Sequence, residues 1–191
     1  MTASSTRCSA RSSLLAAAAA LWLFCAPPLH ADGIEVRKAA LAAAEDGYFL
    51  EADFDIALTH TLEEALNKGV PLYFVLEFEL TRPRWYWFNE RIANARQQYR
   101  LSYNALTRQY RVGVGALYQN FGSLREALEF MSRVRVRDIV EPGSLRKDAA
   151  YTAVLRLRLD TAQLPRPFQV SAVGSREWNL SSDWYRWTVS P

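Results

Sequence analysis

The chain has 191 residues, of which 23 are Lys or Arg and 20 are Asp or Glu, for a net charge of +3. Half are hydrophobic, 2 are Cys, 8 are Gly and 8 are Pro. This composition fits an ordinary globular domain and excludes a disordered chain, a collagen-like repeat and a disulfide-dense scaffold.

Residues 1–31 have the pattern of a secretory signal peptide. Arg7 and Arg11 give a positive start, and residues 14–24 form an apolar run too short to span a bilayer comfortably. Ala31 suits the position before the cut. A retained anchor and acylation of Cys25 are the alternatives; the bulk of Phe24 speaks against the second. The expectation is export to the periplasm, with residues 32–191 as one β-rich domain. Cleavage would remove Cys8 and Cys25, two bases and no acid, and leave 160 residues with a charge of +1. The remaining chain has no Cys and one His, His60. It has no thiol nucleophile, and it cannot build a zinc site from several His and Cys ligands. The basic excess belongs largely to the leader, so no nucleic-acid partner is expected. No cofactor motif is present: there is no phosphate loop, dinucleotide fingerprint or nucleophile elbow.

The pattern along the chain is mostly strand. Residues 34–44 predict a strand, and Glu45-Asp46-Gly47 a hairpin turn. Residues 48–57 alternate, with Glu51, Asp53 and Asp55 on one face and Leu50, Ala52, Phe54 and Ile56 on the other. Thr61 and Glu64 have capping-box spacing, predicting a helix from Thr61 that Gly69 ends. Residues 71–82 predict a long strand with Glu77, Glu79 and Thr81 outward. Residues 96–105 predict another with Tyr99, Leu101 and Tyr103 inward, and residues 110–117 a third after a turn near Thr107-Arg108. Ser123 and Glu126 form a second capping box, opening a helix to about Arg133. Residues 134–140 and 150–160 predict strands, with Arg133, Arg135, Arg137, Arg156 and Arg158 on wet faces. Leu164-Pro-Arg-Pro167 interrupts the regular structure, and residues 184–189 give the last strand. Eight or nine strands joined by short turns predict an antiparallel two-sheet β-sandwich with two short capped helices. Thr61–Leu66 echoes Ser123–Leu128; the reading adopted is recurrent capping chemistry rather than a duplicated unit.

Charge is sorted. Residues 32–80 hold eleven acids and three bases, and residues 81–137 eleven bases and three acids. Pairing of the two halves across neighbouring strands is the simpler account; a basic face for an anionic partner is the sharper one. The candidate partner-binding segment is Arg82, Arg84, Trp85, Tyr86, Trp87, Phe88 and Arg91, which a strand would arrange with Trp85 and Trp87 on one face and Tyr86 and Phe88 on the other. Buried strand, protein-binding edge and membrane-surface contact are the competing readings. The pairs Asp53/Asp55 and Glu77/Glu79 have the spacing for a two-carboxylate hydrolase, and equally for any solvated strand face. Calcium at Asp46, Glu51, Asp53 and Asp55 lacks an ordered ligand loop, and His60 suits a structural place beside a helix start.

Three stretches carry a resemblance: residues 62–72, Arg84-Trp-Tyr-Trp87, and residues 99–110; the closing residues 182–187 add to it. Over nearly the whole exported chain they resemble a family of exported proteobacterial proteins known only as a domain of unknown function, DUF4390. The resemblance implies export and a single domain, and supplies no catalytic residues. It also implies an accessory role in envelope signalling, beside sensor kinases. The leading expectation is therefore a periplasmic, non-enzymatic interaction domain whose partner is an envelope protein, such as the periplasmic part of a sensor kinase. A carrier of an apolar or lipid-like ligand between the sheets is the second, and a carboxylate-dependent hydrolase the third.

Overall fold

The structure is a computed structural model, and it describes residues 33–44, 47–84, 86, 89–141, 143–146, 149–172 and 174–190. The signal peptide expected over residues 1–31 lies outside them.

Alternating apolar residues make nine strands, and their register makes two sheets. β1 (Gly33–Ala44), β2 (Gly47–Ala57) and β7 (Arg133–Val140) form an antiparallel sheet in the order β1-β2-β7. The second sheet is also antiparallel, in the order β6-β5-β4-β3-β8-β9. Its strands are β3 (Leu72–Arg82), β4 (Glu90–Asn104), β5 (Gln109–Val114), β6 (Leu117–Phe121), β8 (Tyr151–Leu159) and β9 (Tyr185–Val189). The two sheets share one core. Leu50, Ala52, Phe54 and Ile56 of β2 are buried in the same cluster as Phe74, Leu76, Phe78 and Leu80 of β3 and Leu155, Leu157 and Leu159 of β8. These are the faces the period-2 pattern predicts, and the sheets remain open rather than closing into a barrel.

Two helices carry the chain between the sheets. α1 (His60–Asn67) leads from β2 to β3, and α2 (Leu124–Ser132) returns it from β6 to β7. The echoing sequences thus do the same topological task in opposite directions, with caps built differently. At α2 the predicted cap is present: Ser123 Oγ accepts from the Glu126 amide at 3.3 Å, while the Glu126 carboxylate accepts from the amide of Gly122 at 3.2 Å. At α1 the cap is Thr59, not Thr61, and its hydroxyl accepts from the Leu62 amide at 3.3 Å. The Thr61 hydroxyl donates instead to the Glu177 carboxylate at 2.7 Å, and Glu64 turns to Lys68 and His60. A tertiary partner outcompetes the local box. Ser123→Ala is expected to cost about 1 kcal/mol in urea unfolding, with the midpoint moved and the slope unchanged.

Three further corrections follow. The strand predicted over residues 110–117 is two strands, turned at Gly115, whose φ of +58° is left-handed. A third helix, α3 (Arg166–Ala172), begins inside the Pro-Arg-Pro stretch expected to interrupt regular structure; proline is tolerated in a first helical turn. The aromatic segment 82–91 is not one strand. β3 ends at Arg82, β4 begins at Glu90, and the described residues between them carry no strand pairing.

Candidate functional site

The segment 82–91 joins β3 to β4, and its charged residues tie the hairpin base. The Glu90 carboxylate accepts from Arg82 and, at 2.7 Å, from Arg84. The hydrogen bond from Arg84 is the largest influence on Glu90, which sits below the usual carboxylate range despite an opposing contribution from burial. Arg91 pairs with Glu79 at 3.0 Å. Tyr86 is 65% exposed. Trp85, Trp87 and Phe88 lie outside the described residues. Of the seven predicted binding residues, three arginines therefore hold the hairpin closed.

The outward residues of β3 run from this hairpin along the solvent face of the six-stranded sheet. Antiparallel register lays side chains from four strands in one straight row. Tyr118 of β6 pairs with Gly113 of β5, Gly113 with Arg100 of β4, and Arg100 with Tyr73 of β3. The Arg100 guanidinium stands over the Tyr73 ring, 5.8 Å from its centroid. The Tyr118 ring covers Gly113 so closely that a Cβ there would lie 2.7 Å from the ring edge, so a larger residue would push the ring aside. Two rows along β4, Arg96 faces Glu77 in register. Tyr73, Arg96, Gln98, Arg100, Gly113 and Tyr118 line a shallow groove of about 500 Å³.

Charge in this face is unevenly satisfied. Glu77 is spent on the other side: Arg156 reaches one carboxylate oxygen at 2.5 Å and Arg158 the other at 2.9 Å. Burial acts to raise the Glu77 pKa, but the hydrogen bonds and charges of Arg158 and Arg156 outweigh it and hold Glu77 below its ordinary value. Arg156 also stacks on Trp184 at 4.2 Å. Among the described residues, Arg96 and Arg100 make no ion pair, and no acid lines their groove. Internal pairing accounts for much of the charge pattern but not for all of it. Glu51 pairs with Arg135, Glu79 with Arg91 and Glu77 with Arg156 and Arg158, yet a cationic strip with two tyrosines is left over.

The other predicted residues scatter. Asp53 and Asp55 line one open cleft beside α2, together with Glu63, Arg37, Lys38 and Arg125. Asp55 is bound to Arg37 there, so the pair does not stand as two free carboxylates. Glu77, clamped on both oxygens and held ionised, has no proton to donate. Among the described residues no three or more His, Cys, Asp or Glu gather as a metal site; Asp46 lies outside the described residues. His60 is exposed, 3.1 Å from Glu64, on the first residue of α1. Beside β7, a second cleft opens between the sheets, and burial there pushes the Tyr99 phenol up to about 12.

Sequence reading missed Tyr73, Arg96, Arg100 and Tyr118. Alternation marks Tyr73, Arg96 and Arg100 as outward, but only the register of four strands brings them together. A profile described as "Domain of unknown function (DUF4390)" matches residues 31–188. No curated protein matches the chain, and no solved structure does.

Proposed function

Because the chain belongs to the DUF4390 family, whose function is unknown, we propose from the site itself that it is an exported, non-enzymatic binding domain that holds an acidic segment of an envelope protein. One observation carries this reading. Arg96 and Arg100 stand beside Tyr73 and Tyr118 on a wet sheet face without a carboxylate partner, while neighbouring Arg91, Arg156 and Arg158 each have one. Long side chains on a sheet surface ordinarily find partners when acids are near. Two guanidiniums without an anion, Arg100 in the row of the tyrosines and Arg96 two rows along the same strand, suit planar, bidentate contacts with carboxylates. Arg, Tyr and Trp are also the residues that dominate protein-binding hot spots. The segment 82–91 joins the same two strands at the end of β3 away from Tyr73, with Arg82 and Arg84 tied to Glu90.

Crosslinking in envelope extract tests the reading. Arg96→Glu with Arg100→Glu is expected to lose the wild-type partner by tenfold or more on the scale of a charge-assisted contact of about 1.5–3 kcal/mol. Capture by the wild type is expected to fall with added salt. Both residues are exposed, so the thermal midpoint stays near that of the wild type. A double variant that captures the same partner at the same yield overturns the proposal. Trp85→Ala with Trp87→Ala measures the share of the hairpin in the same assay.

A further inference from the structure

Three strands do not cover six. β7 is one of the two edges of the smaller sheet, and α2 packs over part of what lies beyond it, with Phe130 against Phe121 at 5.2 Å between ring centroids. Next to β7 a cleft of about 760 Å³ remains. Its floor is apolar and buried: Tyr99 of β4, Val112 of β5 and Val134 of β7. Its walls are mixed: Val114, Leu117 and Phe130 are apolar, with Leu117 79% exposed, while Gln97, Gln119 and the Glu51–Arg135 ion pair are polar. Arg133 stands at the mouth. It faces Asp53 in register, yet among the described residues it makes no ion pair, whereas its neighbour Arg135 is held by Glu51 at 2.5 Å.

We propose that this inter-sheet cleft binds the acyl chain of a single-chain amphiphile, with the anionic head group on Arg133. The cleft meets the outer-face groove at the β5–β6 edge, where Gln97, Val114 and Tyr118 line both, but its apolar floor and Arg133 are not shared with that groove. Its volume lies in the range of small-molecule sites, about 300–1,000 Å³. An acyl chain on the floor covers Val114, Leu117 and Phe130, and removes the apolar surface that the fold leaves wet. A carboxylate or phosphate at the mouth supplies the partner that Arg133 lacks. Asp53 opposes this, while Glu51, the other acid of the lining, is neutralised by Arg135. Two other occupants fit less well. An extended peptide added to the edge of β7 meets Arg133, Arg135 and Arg137 and the irregular register at Asp138, whose φ is +55°, and charged side chains and bulges are what blunt strand addition. A second copy docked about a two-fold axis brings like arginines together at the rim of its own cleft.

Titration of the purified domain with cis-parinaric acid, read by fluorescence, tests the site, with palmitate and methyl palmitate as competitors. The expected result is saturable one-to-one binding, displaced by palmitate and several-fold less well by its uncharged ester. Leu117→Glu places a charge among the walls at an exposed position that the fold does not need, and is expected to weaken binding at least tenfold. Arg133→Glu weakens it similarly, and Asp53→Asn strengthens it. Val170→Glu, exposed on α3, leaves it unchanged. Absence of saturable binding overturns the proposal, as does equal binding by Leu117→Glu. Sedimentation showing a dimer that Leu117→Glu dissociates, without parinarate binding, also overturns it and assigns the cleft to self-contact. Equal competition by palmitate and its ester overturns the role of Arg133.

Discussion

Phe74→Ala lowers the stability of the domain by about 3–5 kcal/mol, while Tyr73→Ala, one residue away, changes it by about 1 kcal/mol or less. Phe74 is fully buried between the sheets, opposite Tyr99 of β4 and Leu159 of β8 in register. Truncating it loses the transfer free energy of a benzyl group and leaves a cavity that two packed sheets close only in part. Tyr73 points to the other face, where its ring meets water and the Arg100 guanidinium. For a domain of this size each kcal/mol moves the thermal midpoint by roughly 2–4 °C, so Phe74→Ala is expected to melt about 10 °C lower and Tyr73→Ala near the wild type. Calorimetry of the two variants decides it. Equal losses, or the larger loss at Tyr73, would mean that β3 sits one residue out of the register described, since a single slip exchanges the faces of a strand.

That contrast is also the part of the fold most legible in the sequence. In β3 the order Phe74, Leu76, Phe78, Leu80 against Tyr73, Glu77, Glu79, Thr81 names the inner and outer faces before any pairing is known, with Val75 the exception, an outer-face residue that is buried. The same holds for Leu155, Leu157 and Leu159 against Arg156 and Arg158 in β8. What was not legible depended on contacts far apart in the chain. The end of β3 at Arg82 falls where the alternation predicts it, before Pro83, which cannot donate to a strand ladder, but β4 starts at Glu90 rather than Arg96, where Glu90 reaches across the hairpin to Arg82 and Arg84. The cap of α1 moved to Thr59 because Glu177, more than a hundred residues on, takes the hydroxyls of both threonines. The β5–β6 turn had a local signal in Gly115, which the alternating residues around it obscured.

The outer-face groove shows the limit most plainly. Tyr118, Gly113, Arg100 and Tyr73 fall in one row only once three separate registers are set. Gly113 in isolation reads as a weak point in a strand, whereas its place under the Tyr118 ring is what lets an aromatic lie flat beside Arg100. The segment that composition singled out, 82–91, is rich in the right residue types, yet its described arginines are engaged at the hairpin base. Composition found the chemistry of a binding surface; pairing decides which guanidiniums remain open.

Glu77→Gln is expected to move stability and binding in opposite directions. At neutral pH the wild-type carboxylate takes two N–H groups from each of two guanidiniums, Arg156 at 3.2 and 2.5 Å and Arg158 at 3.2 and 2.9 Å. The amide keeps the shape and loses the charge, leaving two guanidiniums about a quarter exposed without their anion. The expected cost is about 1–3 kcal/mol, toward the lower end because water still screens the cluster. The pH dependence has a definite sign. Burial acts to raise the Glu77 pKa and the two arginines lower it further than that, so the folded value lies below the ordinary 4.5. A depressed carboxylate contributes its stabilisation fully above the unfolded pKa and loses it as pH falls through the folded one. The wild type therefore loses this contribution on acidification below about pH 5, and Glu77→Gln, which has nothing to protonate there, has a flatter profile. Urea unfolding from pH 7 to pH 3 measures both curves; a gap between them that stays constant over that range excludes the clamp as its source. In the partner-capture assay the same variant removes one negative charge from the face that holds Arg96 and Arg100, two rows from Tyr73. Capture of an acidic partner should then rise at low salt while the fold weakens. A merely destabilised protein would lose both together, so the divergence separates a binding face from a structural ion cluster.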